Sequence, residues 1–289
     1  MHVLSYLFPS SQKNKTNDQD LSFWTGCLYL TILCFSLALS PTSNAQAIER
    51  IKERGAIIVG VKADYQPYGY LDIEGKLKGL EVELARDIAD RLGVDITFIA
   101  VKSSNRMRFL IQGQIDLLIA TMSDRRERRK VVNIVEPSYY SSGTNLLAWK
   151  SAKLHSWEQL NRQKVCGIRG AFYNHTTHMD FGAIMVTFNS TNDALLALRQ
   201  GRCLAFVYDD SFIVHQLNDE RWQKRFEMPL TSIKHTPWGL AVKHGEEDFK
   251  RYLKDVIIDW HKTGFILQLE KDYGIKTSPF ALKMYHIYK

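Results

Sequence analysis

Two spacings alternate along residues 57–262: short β-branched runs, and stretches in which apolar residues recur every three or four positions. Ile57–Val61 reads as a strand. In Gly79–Leu92, the residues Leu80, Leu84, Ala85, Ile88, Ala89 and Leu92 share one helical face, and Gly93 supplies a C-terminal stop. Asp95–Val101 alternates like a strand, Arg106–Gln112 predicts a short helix ending at Gly113, and Ile115–Ala120 is the next strand. This β-α-β-α-β series implies a parallel sheet with helices on its faces. The pattern then restarts. Ser156–Gln159 forms a capping box, Lys164–Ile168 and Met185–Phe188 read as strands, Ser190–Gln200 as a helix stopped by Gly201, and Leu204–Tyr208 as a strand. Gly239–Val242 predicts a late strand and Glu246–Lys262 an amphipathic helix. Two α/β units without a flexible linker predict two lobes joined by crossing strands, with a cleft between them.

Ahead of this pattern, Phe23–Leu39 carries no charge and is followed by Pro41 and two small-x-small sites, Ser43-Asn44-Ala45 and Ala45-Gln46-Ala47. The segment reads as an export signal cleaved after Ala45 or Ala47. Its rival is an uncleaved anchor, because the run is at the lower edge of what spans a bilayer. Cleavage removes Cys27 and Cys34 and leaves Cys166 and Cys203. In an oxidising compartment these two can pair; the alternative is two buried thiols.

With 45% hydrophobic and 24% charged residues among 289, the chain is neither mostly disordered, collagen-like nor a polytopic membrane protein. A net charge of +7 comes without a Lys/Arg tract interleaved with aromatics, so no nucleic-acid partner is expected. His175 and His178 lack a neighbouring third ligand and read as a surface helix; no metal or cofactor is expected. Nucleophile-elbow, phosphate-loop, dinucleotide and zinc-protease motifs are absent. Asp209-Asp210 is a poor acid/base pair, since adjacent strand-end residues face opposite ways. The cluster Arg125–Lys130 is either a solvated helix face or an anion site.

Six segments in order carry a resemblance: Gly60–Tyr68, Gly79–Ala85, Gly113–Ala120, Glu127–Val132 followed by Glu136–Tyr140, Gly201–Asp209 and Trp238–Val242. Together they resemble the polar-amino-acid family of periplasmic solute-binding proteins, the receptors of ABC importers, from about Ile48 to about Tyr273. The resemblance implies the two-lobed α/β fold. Residues 1–47 would be the signal, 48–141 and 238–289 lobe 1, and 142–237 lobe 2. It also implies a periplasmic monomer that binds a polar amino acid, hands it to an ABC permease and uses no cofactor.

A zwitterion needs one anchor for its carboxylate and one for its ammonium. The resemblance puts Arg128 at the carboxylate, where guanidinium can pair bidentately, with Thr121 and Ser123 adding donors beside it. It puts Asp209, from the other lobe, at the ammonium, and Tyr65 and Tyr68 beside the ligand side chain. Gly170-Ala171-Phe172 stands where family members carry hydroxyls, so Phe172 and its neighbours would serve through backbone N–H groups. Cys166 and Cys203 would share one lobe-2 sheet and be close enough to bond. Two rivals remain. One is an enzyme on the same fold, a dehydratase of cyclic keto-acid precursors, with Glu81, Asp124 or Asp209 as its acid. The other is a membrane-tethered sensing module.

Overall fold

The computed structural model describes residues 47–289; the apolar segment Phe23–Leu39 lies outside them. The strands are β1 Ala56–Val61, β2 Asp64–Tyr65, β3 Gly69–Leu71, β4 Leu77–Lys78, β5 Asp95–Ala100, β6 Leu117–Leu118, β7 Asn133–Ile134, β8 Tyr140–Trp149, β9 Lys164–Ile168, β10 Ile184–Phe188, β11 Ala205–Asp209, β12 Phe226–Glu227, β13 Ile233–Trp238 and β14 Ala241–Val242. They build two main sheets. The first has the order β5-β1-β6-β14-β7, and the second has the order β10-β9-β11-β8-β12 with β13 beside β8. β2, β3 and β4 form a small sheet of their own.

In the first sheet, β1 lies parallel to β5, from Ala56 opposite Asp95 to Val61 opposite Ala100, and parallel to β6. The helix Leu80–Leu92 packs on this sheet, burying Leu84, Ala85 and Ile88, and ends at Gly93 in the left-handed conformation. Its start is fixed by the preceding loop. Leu80 and Glu81 N–H groups donate to the Pro67 and Tyr68 carbonyls at 3.0 and 2.9 Å. Gly79 permits that approach: a Cβ there would lie 2.2 Å from the Tyr68 carbonyl oxygen, and its φ is +128°.

The second sheet repeats the design, with β10, β9 and β11 parallel. Its β8 runs antiparallel to β11, placing Asp209 opposite Thr144. The chain passes from the first sheet to the second along β8 and returns along β13. These two strands are antiparallel neighbours, with Trp238 opposite Tyr140 and Thr236 opposite Ser142. Two crossing strands therefore join the lobes. Tyr139, Tyr140 and Trp238 are fully buried at this junction. Cys166, on β9, is bonded to Cys203, just ahead of β11, with Cα atoms 5.6 Å apart. The sequence pattern places the second-sheet strand at Leu204–Tyr208 and the late strand at Gly239–Val242; the ladders hold Ala205–Asp209 and Ala241–Val242 instead. Among the described residues, no helix is long and apolar enough to cross a membrane.

Candidate functional site

The loops at the carboxyl ends of β1, β6 and β11 meet between the two sheets. β1 ends at Val61, and the next residues are Lys62, then Asp64 and Tyr65 on β2. The segment after β6 carries Thr121 and Ser123, and the short helix Arg126–Arg129 carries Arg128. β11 delivers Asp209 from the second sheet.

Arg128 is buried and donates from Nη1 to the Ser123 carbonyl at 3.0 Å. Ser123 is itself stitched to Trp238 of β13, and Asp124 N–H donates to the Pro237 carbonyl at 2.7 Å. The arginine loop is thus tied to the returning hinge strand. Burial, and after it the Arg106 guanidinium, pull Arg128 down from the ordinary arginine value. Thr121 has φ +47°, a left-handed conformation that costs a non-glycine residue about 1–2 kcal/mol. It is held there by its N–H, which donates to Glu81 Oε1 at 2.6 Å; the Tyr139 hydroxyl donates to the same oxygen. Burial raises Glu81 to about 7, against the pull of those two hydrogen bonds.

Asp209 is 4% exposed. It accepts a hydrogen bond from the Tyr65 hydroxyl at 2.5 Å, and the Tyr173 hydroxyl reaches the same oxygen at 3.4 Å. Burial pushes its carboxyl up to about 7; the Tyr65 hydrogen bond opposes this. Asp210 opens the helix Asp210–Gln216 and turns the other way, accepting from Ser142 Oγ at 2.6 Å and Gly143 N–H at 2.9 Å.

The walls are in contact. Besides Tyr65 and Asp209, Thr191 N–H donates to Asp64 Oδ2 at 2.8 Å, and the Arg125 guanidinium lies over the Phe172 ring at 4.9 Å. Gly170, after β9, abuts the Ser103–Ser104 backbone after β5. A Cβ at Gly170 would meet Ser103 O and Ser104 N at 2.8 Å, and its φ is +82°. Gly170→Ala is therefore expected to weaken ligand binding about tenfold or more by opposing closure, with far-ultraviolet circular dichroism unchanged. Titration calorimetry matching wild type would refute this.

Thr121, Ser123, Arg128, Tyr65 and Asp209 are thus brought together. Phe172 sits half-buried at the rim, under Arg125, while the Ala171 N–H is used by the Ile168 carbonyl at 3.0 Å. Tyr68 packs beside Tyr65, with ring centroids 5.6 Å apart. Its ring packs against Trp238 at 5.0 Å, and its hydroxyl meets that of Tyr140 at 3.2 Å. Asp124 is taken up by Arg129. His175 and His178 are exposed on the helix Tyr173–Met179, and no metal-ligand cluster occurs among the described residues. Sequence reasoning missed Lys62, Arg106, Tyr173 and Tyr208 at this site. Long charged side chains such as Lys62 and Arg106 normally read as solvated, and Tyr173 and Tyr208 carry no local mark that sets them apart from core tyrosines.

Residues 57–276 match the model of the bacterial extracellular solute-binding proteins, family 3. The chain belongs to that family. This family 3 protein is 30% identical over 213 residues to the ABC transporter glutamine-binding protein GlnH of Bacillus subtilis, covering 72% of this chain and 77% of the relative. It is 27% identical over 249 residues to the L-cystine-binding protein TcyJ of Escherichia coli, covering 84% and 91%. Among solved structures, a mutant of ArgBP from T. maritima superposes with a TM-score of 0.74 at 26% identity, covering 78% of this chain and 98% of the other. The two-lobed α/β architecture of this family 3 protein is thus shared with known binding proteins.

Proposed function

We propose that the protein is a periplasmic receptor that binds a polar amino acid between its lobes and delivers it to an ABC import permease. It acts as a monomer and without covalent chemistry. One observation carries this reading: a buried guanidinium and a buried carboxylate, Arg128 on the short helix beyond the first sheet's β6 and Asp209 at the end of β11 in the second sheet, lie near enough for the carboxylate to act on the guanidinium. That pair matches the carboxylate and ammonium of a zwitterion. A ligand bound to both walls favours the closed form over the open one, which is the signal a permease can read. GlnH and TcyJ, named for glutamine and L-cystine, support the ligand class.

The N-terminal edge bears on export. Ala47 and Ile51 are buried in the core, and Ile48 N–H donates to Asp248 at 3.2 Å. Cleavage after Ala45 retains these contacts, whereas cleavage after Ala47 discards a buried residue. N-terminal sequencing of the exported chain is expected to begin at Gln46.

Mass spectrometry of small molecules released from the purified, denatured protein tests the ligand class directly. The pH dependence tests the ammonium anchor. Because burial between the touching walls raises Asp209 to about 7, and a bound ammonium favours the carboxylate, binding in the closed form releases a proton. Affinity should therefore fall by up to about tenfold per unit as pH drops below 7. Asp209→Asn should reduce that pH dependence to whatever Glu81, also raised to about 7, contributes, and weaken binding strongly. In the ligand-free protein the sign reverses. The raised folded pKa means that this group's stabilisation is complete below its unfolded value, 3.8, and is lost as pH rises through 7. Asp209→Asn should thus raise the melting temperature at pH 8. A variant that loses binding without gaining stability would show that Asp209 is not a strained buried carboxylate.

A further inference from the structure

The zwitterion reading uses one buried cation, Arg128. Two more stand in the same cleft: Lys62 at 1% exposure and Arg106 at 3%. Arg106 begins the helix Arg106–Ile111 and donates to the Ala120 carbonyl, one residue before Thr121. Arg128 donates to the Ser123 carbonyl of the same segment. Both guanidiniums therefore hang on one short stretch of backbone. They are close enough that Arg106 is the strongest charged influence depressing Arg128, and Arg106 depresses Lys62 as well.

The carboxylates nearby, Glu81 and Asp209, act on these guanidiniums only through space. Among the described residues, neither Arg106 nor Arg128 has a carboxylate oxygen within 4.0 Å. Glu81 spends Oε1 on Thr121 N–H and the Tyr139 hydroxyl; its Oε2 is buried without a hydrogen-bond partner and offsets part of the Arg106 charge through space. Asp209 holds the Tyr65 hydroxyl. Asp64 is 3.5 Å from Lys62 and is also bonded to Thr191 N–H. Two like charges are thus buried on one segment with only neutral carbonyls as direct hydrogen-bond partners, an arrangement that is costly unless an anion joins them directly. One carboxylate of an amino acid can grip one guanidinium through parallel hydrogen bonds. A neutral side chain would leave the second guanidinium buried without a charged partner, and a basic side chain would add a third positive charge beside it.

We infer that the ligand is an acidic amino acid, whose second carboxylate is bound by Arg106 with support from Lys62. This inference rests on the amino-acid reading above and narrows it.

The test is calorimetric titration of the oxidised wild-type protein at pH 7.5 with L-glutamate, L-aspartate, L-glutamine, L-asparagine and L-arginine. At least one acid should bind ten to a thousand times tighter than its own amide. Arg106→Gln should lower the acid-to-amide ratio at least tenfold while changing amide affinity only a few-fold. An amide that binds as well as its acid, or preferred binding of arginine, overturns the inference and leaves the amino-acid receptor standing. Equal loss of acid and amide in Arg106→Gln also overturns it, because Arg106 would then be structural. Failure of all five to bind overturns the inference, and the absence of any amino acid among the molecules released from the denatured protein would overturn the receptor reading itself. The wild-type ratio decides the matter even if Arg106→Gln does not fold.

Discussion

Arg128→Ala lowers amino-acid affinity by tens to thousands-fold, whereas Arg125→Ala, Arg126→Ala and Arg129→Ala stay within a few-fold of wild type. Of the four arginines, only Arg128 is buried. Arg129 is occupied by Asp124 and Glu136, each within 2.6 Å, Arg125 covers Phe172 at the rim, and Arg126 is exposed. Removing the Arg128 guanidinium leaves a desolvated ligand carboxylate short of a charged donor, which typically costs about 2–5 kcal/mol. Arg128→Lys should recover only part, since one ammonium cannot form the parallel pair. Arg128→Ala also relieves repulsion with Arg106, so that ligand-free variant should melt no lower than wild type. That combination, lost affinity with retained stability, separates a binding role from a structural one. Calorimetry showing unchanged affinity for Arg128→Ala would remove the carboxylate anchor from the site.

The second large effect is on stability. Cys166→Ala with Cys203→Ala should lower the melting temperature by about 8–15 °C relative to the oxidised protein. The bond spans a sequence separation of 37, for which the chain-entropy estimate is about 4 kcal/mol, and a kilocalorie shifts a domain of this size by about 2–4 °C. Both sulfurs are buried, so truncation adds a packing loss. Differential scanning calorimetry of the two proteins decides it; a difference below about 3 °C would mean that the cross-link constrains little in the unfolded chain.

What the sequence made legible follows the strength of its periodicities. The helices Leu80–Leu92 and Glu247–Thr263 carry long apolar stripes and were readable to within a residue or two. Crossing strands are expected at the hinge, but their positions are not readable. β8 runs Tyr-Ser-Ser-Gly-Thr-Asn before its apolar half, and β13 holds Pro237, which demotes a run to an edge. Both lie where the chain crosses between lobes, so neither face keeps one environment. The three small strands β2–β4 are too short to show any period. At the site, Arg128 and Asp209 were selected by family resemblance alone. Lys62 and Arg106 had no such signal: a basic residue after a strand or at a helix start is ordinary until the tertiary fold buries it.

The strand order of the first sheet has a consequence for assembly during synthesis and export. β14 lies between β6 and β7 and is the only strand that pairs with β7 among the described residues. Its two residues, Ala241 and Val242, follow the whole of residues 143–237 in the chain. As the polypeptide emerges, β1, β5 and β6 can pair early, but the rim of that sheet stays open until the entire second lobe has been delivered. Residues 142–237 are by contrast a continuous stretch, whose ends are brought together by the β8–β13 ladder. The late lobe in sequence can therefore finish first, and the early lobe must wait for its last strand. Closing so long a loop makes that final step the slow, non-local one.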